Sequence, residues 1–280
     1  MWQNIFGHKN QIEQLKKELK EKKLAHAYLF SGIEGIGKKQ IALGLVQALR
    51  CSKSDLHFIE PEGLTIKVEL LRRLKQKIYL HPLEGEVKVV IIDNAHMMTE
   101  AGANALLKIL EEPPQATYFI LISHQPTRLL PTIRSRCRQM TFGPLSHEQI
   151  KQYLVRNGLS QVEAEQKTNF AMGSLKMALD FDVNLAGEIN QKLTELSQGL
   201  TPSKILDLSE TLSEESEKLP YVLILLEQLW HKKILENGDA KATERLTTQW
   251  TAIQNATRGL QTYANKQLLI ESLLFTLANG

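Results

Sequence analysis

With 280 residues, 42% of them hydrophobic, the chain can bury one large core or two to three smaller ones. A formal charge of +3 and a pI near 8.7 make it only mildly basic, too little to establish a nucleic-acid partner. Two cysteines, Cys51 and Cys137, exclude a disulfide framework and a four-cysteine zinc site, and the longest apolar run, Tyr221 to Leu226, is far short of a membrane span. Met1-Trp2-Gln3-Asn4 has neither the basic nor the apolar region of a signal peptide, so a reducing, cytoplasmic setting without membrane association is expected.

Ile12 to Lys23 is rich in Lys and Glu, with Ile12, Leu15 and Leu19 on one side. That pattern predicts an amphipathic surface helix whose charges face solvent. Ala27 to Phe30 reads as a short apolar strand and runs into Gly32-Ile33-Glu34-Gly35-Ile36-Gly37-Lys38. The spacing is that of a phosphate loop: Gly32, Gly35 and Gly37 let backbone amides turn toward phosphate oxygens, and Lys38 neutralises the terminal ones. Ile41, Leu45 and Leu49, flanked by Ala42 and Val46, predict the helix that the motif requires. The next position departs from the pattern. A Ser or Thr hydroxyl after Lys38 would bind magnesium; Lys39 cannot while protonated, and it brings positive charge to the metal's place. A degenerate ATP and magnesium site, with impaired or lost turnover, is the expectation.

His57 to Gly63 reads as a short acidic turn region, and Val68 to Ile78 as a helix bearing several Lys and Arg. Then comes the central stretch, Val87 to Pro114. Its β-branched run of Val87, Val89, Val90, Ile91 and Ile92 predicts a strand buried on both faces of a parallel sheet. Asp93, at the C-terminal end of that strand, would stand at the sheet's ligand-binding edge. Asn94 replaces the glutamate that usually polarises the attacking water, and an amide cannot take up a proton. Ala103, Leu106, Leu107 and Leu110 form one face of a helix, which Glu111-Glu112-Pro113-Pro114 ends. Tyr118 to Ile122 predicts another buried strand, ending at Ser123 and His124. These polar residues either contact a terminal phosphate or simply meet solvent. Beyond Pro131, Arg134, Arg136 and Arg138 alternate. They form either the solvated face of a strand or a guanidinium fork for a phosphate on a neighbouring molecule.

Pro144 to Gln149 marks a domain boundary, and Ser146 with Gln149 has capping-box spacing for a helix starting near His147. Helical segments continue to about Phe181, punctuated by Gly158 and Gly173, with Ser174 as the cap of a helix that begins Leu175-Lys176. From Asn184 onward only helices are expected. Leu219 to Trp230, apolar nearly all round, should be buried in a bundle or an interface.

Together these residues resemble the clamp-loader family of AAA+ ATPases that serves bacterial DNA polymerase III. The resemblance is carried by Gly32 to Lys38 and by Ile91-Ile92-Asp93. It is carried further by Asn104-Ala105-Leu106-Leu107-Lys108 running into Leu110-Glu111-Glu112-Pro113-Pro114, and by Ser135-Arg136-Cys137. It extends from Phe6 to Pro144, weakens to Asp182 and is architectural beyond. It implies a RecA-like α/β AAA+ domain with a parallel sheet over 1–144, a small helical lid over 145–183 and an all-α collar for oligomerisation over 184–280. Lys38, Asp93, Ser123 and Lys176 fall at the family's Walker A, Walker B, sensor 1 and sensor 2 positions. Arg136 falls at the arginine finger that reaches the ATP of an adjacent subunit.

Motor members of the family keep the Walker A hydroxyl and the Walker B glutamate, and usually an arginine where Lys176 stands; non-motor members often do not. The resemblance therefore implies a non-motor stator with little or no ATPase activity of its own. Its implied partners are motor subunits of the gamma/tau type and a delta-type subunit in a pentameric ring, with the sliding clamp and primed DNA reached through the complex. An active motor and a stand-alone nucleic-acid-binding module are the alternatives. Many relatives insert a four-cysteine zinc module after the first helix. Here Cys51 runs straight into Ser52-Lys53-Ser54-Asp55, so no zinc is expected.

Overall fold

The computed structural model describes Trp2 and residues 5–181, 202–214, 219–236, 239–260 and 265–279. It divides into two compact units, Met1–Leu179 and Asp180–Gly280. The boundary expected between lid and collar, at 183/184, lies outside the described residues.

The first unit is built on five parallel strands: β1 (Ala27–Ser31), β2 (Leu56–Ile59), β3 (Lys88–Ile92), β4 (Thr117–Ser123) and β5 (Arg138–Thr141). Their order is β2-β3-β4-β1-β5, with every neighbouring pair parallel. A sheet of this kind needs helices on both faces, so its central strands must be apolar on both sides. Every residue of β1 and β3 is buried. Successive side chains then alternate between two cores. Phe30, Val89, Ile91, Ile120 and Ile122 pack with Ile41 and Leu45 on one face. Leu29, Val90, Ile92, Phe119 and Leu121 pack with Leu71, Leu106 and Ile133 on the other. Each such buried side chain contributes roughly 1.5–3 kcal/mol over its exposed state.

The helices follow from local signals. α1 spans Lys9–Lys20 and α2 spans Lys38–Ala48, opening directly from the glycine loop. α3 spans Val68–Ile78, with Leu71, Leu74 and Ile78 buried and its cations in solvent. α4 spans Glu100–Glu111; the Thr99 hydroxyl caps it by accepting the Gly102 N–H at 3.2 Å. α6 (His147–Arg156) starts with the full capping box expected of Ser146 and Gln149, the two bonds measuring 3.2 and 2.9 Å. α7 (Gln161–Asn169) repeats the device with Ser160 and Glu163. α8 (Leu175–Asp180) follows Ser174, whose hydroxyl accepts the Met177 N–H at 3.3 Å.

Two sequence expectations are corrected. The segment from His57 does not begin as a turn: Leu56–Ile59 is the edge strand β2, paired with β3 from Leu56–Val89 to Ile59–Ile92. Only Ile59 of its four residues is buried, so the strand has no apolar pattern and rests on its neighbour's hydrogen bonds. The alternating arginines do not share a strand face either. Pro131 opens a helix, α5 (Pro131–Arg136), and β5 begins only at Arg138. Proline's fixed φ suits the first helical position, and its missing amide costs nothing there.

The second unit is helical among the described residues: α9 (Pro202–Glu214), α10 (Leu219–Glu236), α11 (Ala240–Gly259) and α12 (Lys266–Asn279). Leu219, Val222, Leu223, Leu226 and Trp230 of α10 are buried at three- and four-residue spacing. Gln249 ties three helices together, accepting from Trp230 Nε1 at 2.8 Å and donating to the Leu277 carbonyl at 3.0 Å. Among the described residues, no helix is long and apolar enough to cross a membrane.

Candidate functional site

In a parallel sheet all C-terminal strand ends point to one edge, and the loops there are free to form a site. Ser31 pairs with Ser123 and Ile59 with Ile92, so the ends of β1, β4, β2 and β3 line up. The glycine loop leaves β1 with Gly32, Gly35 and Gly37 at φ of 146°, 78° and 96°. At Gly32 a Cβ would lie 2.2 Å from the Phe142 carbonyl oxygen, and at Gly35 it would lie 2.3 Å from Lys176 Cβ. Only glycine fits either place. Lys38 is buried, and its Nζ donates to the carbonyls of Gly32 and Ile33, both at 2.6 Å. Burial pushes this ammonium down to about 8, with Asp93 and Glu34 opposing the shift. The loop is closed around its own lysine.

The next side chain turns toward the sheet edge. Lys39 Nζ lies 2.6 Å from Glu60 Oε1, 3.6 Å from Asp93 Oδ2 and 4.3 Å from the centroid of the Phe58 ring. Asp93 Oδ1 accepts the Asn94 N–H at 2.9 Å. Asn94 itself sits in the left-handed region at φ 50° and ψ 44°, which asparagine tolerates better than most residues.

Ser123 is fully buried, so this strand end does not simply meet solvent. Its hydroxyl lies 3.2 Å from His96 Nδ1 and accepts the Gln125 N–H at 3.1 Å. The rings of His96 and His124 meet edge to face at 4.2 Å. Burial pushes His96 down to about 4, helped by the nearby His124, Arg128 and Lys38 and opposed by Glu34. Burial also lowers His124. Both rings are neutral at neutral pH.

The start of α8 is stitched to the glycine loop. Ser174 Oγ donates to the Glu34 carbonyl at 2.7 Å, the Lys176 N–H donates to the Gly35 carbonyl at 3.2 Å, and Lys176 Nζ meets Glu34 Oε1 at 2.7 Å. Beside the loop lies a cavity of about 450 Å³, lined by Ile5, Phe6, Ile36, Gly37, Leu145, Tyr153 and Leu175 among others. Phe6 and Tyr153 meet edge to face at 5.2 Å within that lining. Gln40 and Gln47 of α2 also line it, so the cavity is of mixed polarity, with aliphatic and aromatic walls beside the glycine loop against which a planar base can lie.

Gly32, Gly35, Gly37, Lys38, Asp93, Ser123 and Lys176 therefore share one edge of the sheet. Arg136 does not. It ends α5 just ahead of Arg138, which pairs with Tyr28 near the start of β1, whereas the glycine loop follows Ser31 at its end. From Tyr28 to Ser31 the strand rises about 10 Å, and Arg136 precedes β5, so the guanidinium stands toward the opposite edge from this chain's own loop. There Nη2 pairs with Glu111 Oε1 at 2.7 Å, and Nη1 donates to the Thr132 carbonyl at 3.1 Å, with about 36% of the side chain exposed. Cys51 and Cys137 are unpaired thiols; burial pushes Cys137 up to about 12.

The sequence reading did not find Glu60, Phe58, Glu34 or His96. Glu60 and Phe58 depend on β2, whose pairing is tertiary. Glu34 carried a signal, since an acid inside a phosphate loop invites a cation, and Lys176 is that cation.

Comparison with known proteins agrees with this architecture. A family model for the DNA polymerase III delta subunit matches residues 7–55 and 50–146, together half of the chain. The chain is 36% identical over 166 residues to the DNA polymerase III subunit delta' of Bacillus subtilis, covering 52% of this chain and 50% of that protein. It thus spans half the length of that relative. It is 31% identical over 270 residues to the DNA polymerase III subunit gamma of Buchnera aphidicola subsp. Acyrthosiphon pisum, covering 84% of this chain and 75% of that one. Among solved structures, a DNA polymerase III gamma subunit-related protein from Thermotoga maritima superposes with a TM-score of 0.55. At 20% identity, with 96% of this chain and 99% of that one covered, the likeness shows the fold, a RecA-like AAA+ sheet with its helices. On the matched family, the parallel sheet and the relatives that share it, the chain belongs to the delta-prime-like clamp-loader subunits of DNA polymerase III.

Proposed function

We propose that this chain is a non-motor stator of the DNA polymerase III clamp loader, and that it acts in catalysis only through Arg136, on ATP held by a neighbouring subunit. The observation that carries this reading is the separation of the two ends of the sheet. The glycine loop lies at one edge, and the partly exposed guanidinium toward the other, beyond the strand length of about 10 Å from Tyr28 to Ser31. A guanidinium so placed can serve a phosphate on another molecule and not its own. Phosphoryl transfer spreads charge over the transferred group's oxygens, and a planar fork of donors stabilises it.

At its own loop, the chain lacks the hydroxyl after Lys38 and an acid after Asp93. The aromatic cavity, the loop amides, Lys38 and Lys176 would hold a nucleotide, with Ser123 behind them, but nothing there activates water. In this reading residues 1–144 form the nucleotide domain, 145–183 the lid and 184–280 the collar. Motor subunits of the gamma/tau type and a delta-type subunit complete a pentameric ring that places a sliding clamp on primed DNA. Two measurements test the proposal. The isolated chain should show negligible ATP hydrolysis, and the reconstituted loader should lose clamp- and DNA-stimulated hydrolysis when Arg136 is replaced by Ala at equal assembly. Ordinary ATPase rates from the isolated chain would favour the other reading, an active motor, which the similarity to a gamma subunit over 84% of the chain supports.

A further inference from the structure

Glu60 and Asp93 follow the last residues of two paired strands, so two carboxylates stand side by side at the sheet edge. Adjacent carboxylates repel unless a cation lies with them. In a site built for a metal, the ion would take that part, held by Asp93 and a hydroxyl at position 39. Here the cation is covalent. Lys39 Nζ is 2.6 Å from Glu60 Oε1 and 3.6 Å from Asp93 Oδ2, and the face of Phe58 covers it at 4.3 Å. The other Asp93 oxygen is engaged by the Asn94 N–H. Magnesium demands a near-octahedral set of oxygen ligands at about 2.1 Å. At Asp93 it would face an ammonium group in place of the missing hydroxyl, so the residues present do not fit it.

We infer that Lys39 is a tethered cation that holds the divalent ion's place and excludes it, so that any nucleotide polyphosphate bound at this loop is bound without a metal. The inference rests on the reading of the loop as a non-hydrolysing nucleotide site. The site has then lost its response to magnesium, and Lys39 is the residue responsible. Lys38 and Lys39, with Lys176, are then the positive charges that a polyphosphate meets at this loop.

The test uses the full chain and measures ATP and ADP binding by calorimetry in excess magnesium and in EDTA. Wild-type protein is compared with Lys39→Thr and Lys39→Ser, which restore a hydroxyl at a half-exposed position. Wild-type affinity, however weak, should agree within about threefold between the two buffers, whereas both variants should bind at least about tenfold more tightly in magnesium than in EDTA. Neither variant should gain turnover, because Asn94 still lacks a base, so binding and not activity is the readout. Magnesium-dependent binding by the wild type would overturn the inference. So would variants that bind equally in both buffers, or not at all. The stator reading fails separately, on hydrolysis by the wild-type chain, and survives a magnesium response without hydrolysis.

Discussion

At the scale of single residues, the role proposed for Arg136 separates what a side chain contributes to folding from what it contributes to chemistry. Its partner Glu111 sits in the last turn of α4, where the paired prolines at 113 and 114 stop the helix and leave that carboxylate facing α5. The pair is exposed on both sides, and such pairs contribute at most about 1 kcal/mol. Arg136→Ala should therefore shift the urea midpoint of the isolated chain by no more than that equivalent. If the proposed ring forms, the active site facing this subunit should instead lose roughly 10³–10⁵ in turnover. Arg136→Lys should not restore it, since a point charge lacks the planar fork. A large loss of stability with hydrolysis unchanged would reverse the assignment. Arg136 was legible in sequence as a cation beside Ser135 and Cys137, and its distance from the chain's own loop was not, because that distance is a property of strand register. Lys39 was legible as misplaced charge. Its two carboxylates and its aromatic cover became visible only when β2 paired with β3.

At the scale of elements, the readable parts are those whose signals are local. The run ending at Ile92, the apolar face of α4 and the Ser146–Gln149 box each state their structure within a turn or a strand length, and each folds as read. β2 does not, because a half-exposed edge strand draws its stability from its neighbour's backbone. The glycine loop allows a sharper test of why its residue types are needed. Gly35 and Gly37 both have positive φ, at 78° and 96°, but they differ in surroundings. A Cβ at Gly35 would meet Lys176 Cβ at 2.3 Å and Ser174 Oγ at 2.4 Å, whereas one at Gly37 would meet nothing within 4 Å. Gly37→Ala should then cost about 1 kcal/mol, the backbone strain alone. Gly35→Ala should cost about 2–4 kcal/mol, because it also prises the start of α8 from the loop. Equal losses in chemical denaturation would show that the contact with α8 adds nothing.

At the scale of the whole molecule, stability should carry a pH signature set by neutral histidines. His8, His57, His96 and His124 are all held below their ordinary value of 6.5, each chiefly by burial, and His96 is pushed furthest, to about 4. The unfolded chain binds protons at these groups before the folded chain does. Stability is accordingly full above pH 6.5 and falls as the pH drops toward 4. Carboxylates act elsewhere. Burial would raise Asp55, but the N–H groups of Leu83, Glu84 and Gly85 and the Ser52 hydroxyl outweigh it and hold the carboxyl well below its usual range, so its contribution is lost only below about 3.8. The window between pH 6.5 and 5 therefore reports the histidines. A group that moves from 6.5 to about 4 on folding accounts for at most about 2 kcal/mol of the difference in stability between pH 7.5 and pH 5. His96→Asn keeps a side chain able to bond the Ser123 hydroxyl but removes the titration. Its unfolding free energy should then change less between those two pH values than that of the wild type, by up to the same amount, even if the variant is less stable at both. A variant that tracks the wild type in parallel across the window would show that the acid sensitivity lies in the other three histidines.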